Sequence, residues 1–168
     1  MRFRPLLPAA VACICMAAMP ALANDKQDIE ALYTKLAKAV MAKDIKGITS
    51  TGTADMTYTE QGRTITAQQA TAQMSAQFAA IKTAPKVKMT VLSCDVKGKE
   101  AKVGAKHYTE LSVPGQDGKA HVITVTSKSK DLLVKTPKGW LMKTVVVESS
   151  QYTMDGKPFN PMQAAGGK

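Results

Sequence analysis

Aromatic residues make up only 5% of this 168-residue chain, histidine occurs twice and cysteine three times. Two of the cysteines, Cys13 and Cys15, fall in a leader-like segment. Cys94 is the only cysteine beyond it, so the chain without its leader has no intramolecular disulfide and takes its stability from packing. Cys94 is expected to be a small buried hydrophobe rather than a reactive thiol. Two histidines and one cysteine have no metal-ligand spacing, so no zinc site is expected, and no cofactor motif is present. Arginine is nearly absent as well, with Arg63 alone after Arg2 and Arg4. Nucleic-acid readers draw on arginine forks and stacking aromatics, and their scarcity argues against a specific nucleic-acid partner. The formal charge of +10 falls to +8 when Arg2 and Arg4 leave with the leader. The lysines are spread along the whole chain, which reads as a solvated basic surface with nonspecific affinity for polyanions.

Long apolar runs are lacking too. Met1-Arg2-Phe3-Arg4 gives a positive start, Leu6 to Ala18 an uncharged stretch, and Ala21-Leu22-Ala23 a small-x-small cleavage site before Asn24. That is the pattern of a secretory signal, and it is too short and too interrupted by Pro8 and Pro20 to stay in a bilayer. The expected organisation is a signal peptide over 1–23, one domain over 24–155 and a flexible tail over 156–168. The expected location is periplasmic or secreted, with no membrane span after signal removal.

Ile29, Leu32, Tyr33, Leu36, Ala37 and Val40 recur at helical spacing and predict an amphipathic helix from about Asp25 to Lys43. A short second helix is expected over Ile45 to Ser50, then a strand around Met56 to Glu60 and a turn at Gln61-Gly62. Thr66-Ala67-Gln68-Gln69 is a capping box, and Ala70, Met74, Phe78 and Ile81 carry its helix on one stripe as far as Pro85. From Lys86 the period becomes two. Turn signals at Lys97-Gly98-Lys99, Pro114 to Gly118 and Pro137-Lys138-Gly139 divide the rest into four long antiparallel strands. One strand phase carries Lys102, Lys106, Lys128, Lys130 and Lys143 and should face water. The other carries Val103, Ala105, His107 and Thr109, then Ile123 to Ser129 by twos, then Trp140, Met142, Thr144, Val146 and Glu148, and should face inward. Helices followed by a long meander define an α+β domain, with a curved sheet of four long strands plus a short one wrapped around N-terminal helices to form a cone with a pocket.

Ala42-Lys43-Asp44 closing the first helix, then Ala54-Asp55-Met56-Thr57-Tyr58, Gly62-Arg63 before a capped helix, and Gly139-Trp140-Leu141 opening the last strand form an ordered set. In that order they resemble the nuclear transport factor 2-like superfamily, particularly its SnoaL-like and ketosteroid-isomerase-like members. The resemblance covers roughly Asp25 to Tyr152 and implies a cone fold, a ligand pocket and homodimerisation through the outer sheet face. It also puts Glu60 near the general-base carboxylate of ketosteroid isomerases. Their oxyanion-binding tyrosine falls near Leu36 or Ala37, with Tyr33 a turn early, and no carboxylic acid is expected near Lys128 for their second oxyanion donor. Steroid-type isomerisation is therefore not implied.

Hairpin counting sets His107 opposite about Val125 and Ser127 opposite about Glu148, all facing the cavity. Tyr58, His107, Ser127, Trp140, Met142 and Glu148 are the expected ligand-binding residues, and His107 and Glu60 the candidate bases. The residues favour a small-ligand-binding or accessory domain for a small apolar ligand, because no catalytic constellation is evident. A lyase- or isomerase-type enzyme using His107 or Glu60, and a protein-interaction module, are the alternatives.

Overall fold

The computed structural model describes residues 19–81, 83–115 and 118–160. Most of the expected leader, residues 1–18, and the end of the expected tail, 161–168, lie outside the described residues. Helix α1 spans Met19–Met41 and α2 spans Ile45–Thr49, with the Asp44 side chain accepting from the Gly47 amide as N-cap. Strands β1 (Gly52–Glu60) and β2 (Arg63–Thr66) form a hairpin. Its two turn residues, Gln61 at φ 51° and Gly62 at φ 77°, take the left-handed conformation that suits strand twist. Helix α3 spans Ala67–Ala80. The expected capping box is formed, with Thr66 Oγ1 accepting from the Gln69 amide at 3.3 Å and the Thr66 amide donating to Gln69 Oε1 at 2.9 Å.

Four long strands follow: β3 (Lys86–Lys97), β4 (Glu100–Pro114), β5 (Ala120–Thr136) and β6 (Gly139–Met154). They are antiparallel neighbours, as their turns require, in the order β2-β1-β6-β5-β4-β3. Strand β1 joins β6 in parallel, which makes the sheet mixed rather than purely antiparallel. The expected flexible tail begins with structure. Asp155 and Gly156, at φ 51° and 77°, turn the chain so that β7 (Lys157–Pro158) pairs back onto β6.

Among the four long strands three bulges bend the sheet. One step along β4 passes two residues of β3 between Val91 and Ser93, and single steps along β5 pass two residues of β6 around Lys143 and around Glu148. A bulge bends its strand and reverses the side-chain phase beyond it. Strand β6 therefore starts in the expected phase, with Trp140 and Met142 inward, and then changes. Val145 and Val147 take the inner positions opposite Asp131 and Ser129, while Val146 and Glu148 are exposed. The expectation that Thr144, Val146 and Glu148 point inward is corrected by these extra residues.

The core lies between α1 and one end of the sheet. Ile29, Leu32 and Tyr33 pack on Ala101, Val103 and Ala105 of β4, Leu133 of β5 and Trp140, Met142 and Val145 of β6. Alanines at the β4 positions leave room for the helix to approach the sheet. Asp25 fastens the start of this helix segment. It is 6% exposed, pairs with Lys135 Nζ and accepts from Trp140 Nε1 at 3.1 Å. Helix α3 differs, since none of its residues is buried. It lies along β1 and α2, and Lys43 Nζ donates to the carbonyls of Phe78 and Ile81 at its C-terminal end.

Candidate functional site

Beyond the reach of α1 the inner sheet face is half-buried, and its polar residues gather in two groups. The deeper group joins α1, β4 and β5. The Tyr33 hydroxyl donates to Asp131 Oδ2, and His107 Nε2 lies 2.9 Å from Ser129 Oγ. The Tyr33 and His107 rings sit 6.3 Å apart at a tilt of 47°. Tyr33, Ser129 and Asp131 are 1%, 2% and 3% exposed, so His107 is the member nearest open space. Asp131 Oδ1 is buried with no hydrogen-bond partner among the described residues.

Burial dominates the electrostatics here. It raises the Asp131 carboxyl above its ordinary value, against the opposing Tyr33 hydroxyl, and it raises the Tyr33 phenol. It also lowers His107, against the Asp131 charge. The low-polarity surroundings thus favour the neutral form of each group.

The second group stands where β1 leaves β6. Glu60 accepts from three hydroxyls, Tyr58 at 3.1 Å on Oε2 and Ser150 at 2.7 Å and Tyr152 at 3.1 Å on Oε1. Burial raises both tyrosines, with the Glu60 charge adding to it. Tyr58 also packs against the core cluster and feels the charge of Asp131. It therefore stands between the two groups.

Of the sequence-predicted residues, Tyr58 and Glu60 are brought together, and His107 lies on the same inner face. Ser127 sits on that face across from His107 and Ser150, but Ser129 takes the histidine bond. The hairpin counts were each off by two. The β4–β5 turn is centred one residue later than Gln116, so His107 faces Ser127, and the two β6 bulges move the partner of Ser127 from Glu148 to Ser150. Glu148 instead lies on the outer face, 2.5 Å from Lys130 Nζ. Trp140 and Met142 are sealed in the core at 4% and 3% exposure, where the expectation had them line the pocket.

Sequence reading missed Tyr33, Ser150, Tyr152 and above all Asp131. The inner phase of β5, continued two residues past Ser129, arrives at Asp131. That was the available signal, three residues from the place near Lys128 where no carboxylic acid was expected. A separate cavity of about 150 Å³ lies between α2, β1 and α3, lined by Ile45, Ile48, Met56, Ala70 and Met74 among others. None of its lining residues is titratable and it holds none of the expected ligand-binding residues. The two polar groups thus lie on the inner sheet face, apart from this cavity.

Solved structures share this fold. A scytalone dehydratase candidate from Novosphingobium aromaticivorans superposes with a TM-score of 0.69 at 12% identity, covering 80% of this chain and 90% of its own. A dehydratase candidate of the nuclear transport factor 2-like family from Streptomyces avermitilis gives 0.60 at 14%, covering 74% and 96%. A type 2 hexachlorocyclohexane dehydrochlorinase, LinA, gives 0.62 at 13%, covering 86% and 98%. No family model and no curated protein matches the sequence. The chain has the nuclear transport factor 2-like cone fold, built as an α+β unit with an unclosed, curved, mixed sheet.

Proposed function

We propose that this protein is a secreted or periplasmic domain that binds a small, largely apolar molecule on the open inner face of its sheet. The carrying observation is that Glu60, with its three hydroxyl donors, and His107 share a face that also carries the half-buried apolar residues Met89, Leu111 and Val125. Apolar walls with a few placed polar groups are the usual makeup of a small-molecule site. The Tyr33–Asp131 pair is sealed, so its role is to hold the floor, and the ligand meets His107 and the Glu60 group. A native mass spectrum of the protein purified from its secreting cell, followed by gentle denaturation, tests this. The expected result is a chain beginning at Asn24 with a co-purifying small molecule, and loss of that molecule in Tyr58→Phe/Tyr152→Phe. A chain that carries nothing, and whose β4 and β5 amide signals do not respond to a library of small hydroxylated and aromatic compounds, would sink the reading.

One observation favours acid–base catalysis as a second reading. His107 is lowered by burial and held through Nε2 by Ser129, which suits a neutral imidazole acting as base through its other nitrogen. Two dehydratase candidates and a dehydrochlorinase are among the solved structures of similar fold. On that reading a substrate proton passes to His107 while a leaving group departs beside Glu60. Given an activity, His107→Gln lowers kcat by about two orders of magnitude or more. Full turnover in both His107→Gln and Glu60→Gln ends it.

A further inference from the structure

We propose that the outer face of the sheet docks on an anionic membrane surface. Four lysines on this face, Lys88, Lys102, Lys106 and Lys128, are exposed and have no carboxylate within ion-pair distance among the described residues. Their neighbours are paired differently, Lys86 with Glu110, Lys130 with Glu148 and Lys143 with Asp55. Lys106 and Lys128 are directly opposed across β4 and β5. Like charges in that position oppose strand pairing, and an external layer of negative charge relieves them both.

The apolar residues choose among anionic partners. Leu92, Val122 and Val146 are the exposed large hydrophobic side chains among the described residues, at 57%, 41% and 37%. Val122 and Val146 are in the lysine phase, since Val146 pairs with Lys130 and Val122 precedes Lys128 by an even number of residues. Leu92 is the extra residue of the β3 bulge, beside Ser93, whose hydroxyl lies over Gly104 on the outer side. Lysines that neutralise headgroups around apolar side chains that enter the interface fit a lipid surface. A nucleic acid offers such side chains nothing, and this face has no arginine to stack on its bases.

Co-sedimentation with phosphatidylcholine vesicles, with and without phosphatidylglycerol, tests the proposal on the chain purified from its secreting cell. Binding is expected only with phosphatidylglycerol and should weaken as salt rises. Lys106→Glu/Lys128→Glu should reduce it about twentyfold or more, Lys106→Gln/Lys128→Gln less, and Leu92→Ser severalfold. Circular dichroism confirms that each variant is folded. Lys35→Glu/Lys38→Glu, the same charge change on the exposed side of α1, should retain most of the binding. An equal loss in that control would reduce the effect to net charge and overturn the proposal. Equal sedimentation with neutral vesicles, or none with either, would also overturn it. So would tighter binding to a duplex oligonucleotide that Leu92→Ser leaves unchanged. A second copy on this face would set lysines against lysines, so a dimer that strengthens with salt and is lost in Leu92→Ser would replace the membrane as its occupant.

Discussion

Asp131 is a carboxyl 3% exposed with one oxygen bonded to Tyr33 and the other unpartnered among the described residues. Its burial is tolerated because the Tyr33 hydroxyl replaces part of its lost hydration. Tyr33→Phe removes that bond without changing the shape of the ring. The expected loss is about 1–3 kcal/mol in urea unfolding, the usual penalty for a newly orphaned buried group. His107 shows the opposite sign of the same burial effect. Its folded-state pKa is lowered by desolvation, so its contribution to stability is present above the unfolded value of about 6.5 and is lost as pH falls toward the folded value. Asp131, raised by burial, contributes stability that is present below its unfolded pKa and lost as pH rises through the folded one. The two oppose each other in mildly acidic solution, so the difference between wild type and His107→Gln is the informative quantity. Wild type should lose stability relative to His107→Gln between pH 7 and pH 5. An unchanged difference would show that His107 is solvated.

Helix α3 and strand β6 illustrate two kinds of element. Helix α3 was legible in the sequence down to its capping box because a cap is a contact between residues three apart. Its apolar stripe is the less exposed side of the helix, with Ala70, Met74 and Phe78 half-buried against β1 and α2 and Ile81, just past its end, buried, but no residue within Ala67–Ala80 is fully buried. Thr66→Ala should destabilise this helix by about 1 kcal/mol. Hydrogen exchange should therefore quicken within Ala67–Ala80 while the global urea midpoint stays near wild type. A matching fall in that midpoint would mean α3 unfolds with the core. Strand β6 was legible only up to its first bulge. Alternation is a local pattern that carries no mark of an extra residue, so Lys143 reversed the faces assigned from Thr144 to Glu148, and the second extra residue, Glu148, restored the original phase at Ser150 and Tyr152.

Across the whole molecule, α1 closes the core against one end of the sheet, and Asp25 ties the helix to the far end of β5 and the start of β6. Lys135 holds the Asp25 carboxyl below its ordinary range, so this tie contributes stability above the unfolded pKa and loses it as acid protonates the folded carboxylate. Asp25→Ala leaves the Trp140 indole without this acceptor and should lower stability by about 1–2 kcal/mol, with Trp140 fluorescence as the readout. The expected mature start at Asn24 lies one residue before this anchor, so a chain cleaved there keeps it. Beyond α1 the inner face is half-buried, and the outer face carries lysines with no carboxylate within ion-pair distance among the described residues, beside exposed apolar side chains.

The sequence by itself determined the helices, the period-two strands, the turns with their left-handed residues and the order that marks the cone fold. Each of these depends on residues no more than a few positions apart, where propensity and spacing decide. Only the tertiary structure decided that Tyr33 meets Asp131, 98 residues away, that Glu60 gathers Ser150 and Tyr152, and that Glu148 faces outward. Those contacts depend on register. Register follows from where the sheet must bulge to curve around α1, and no local pattern in the chain encodes that curvature.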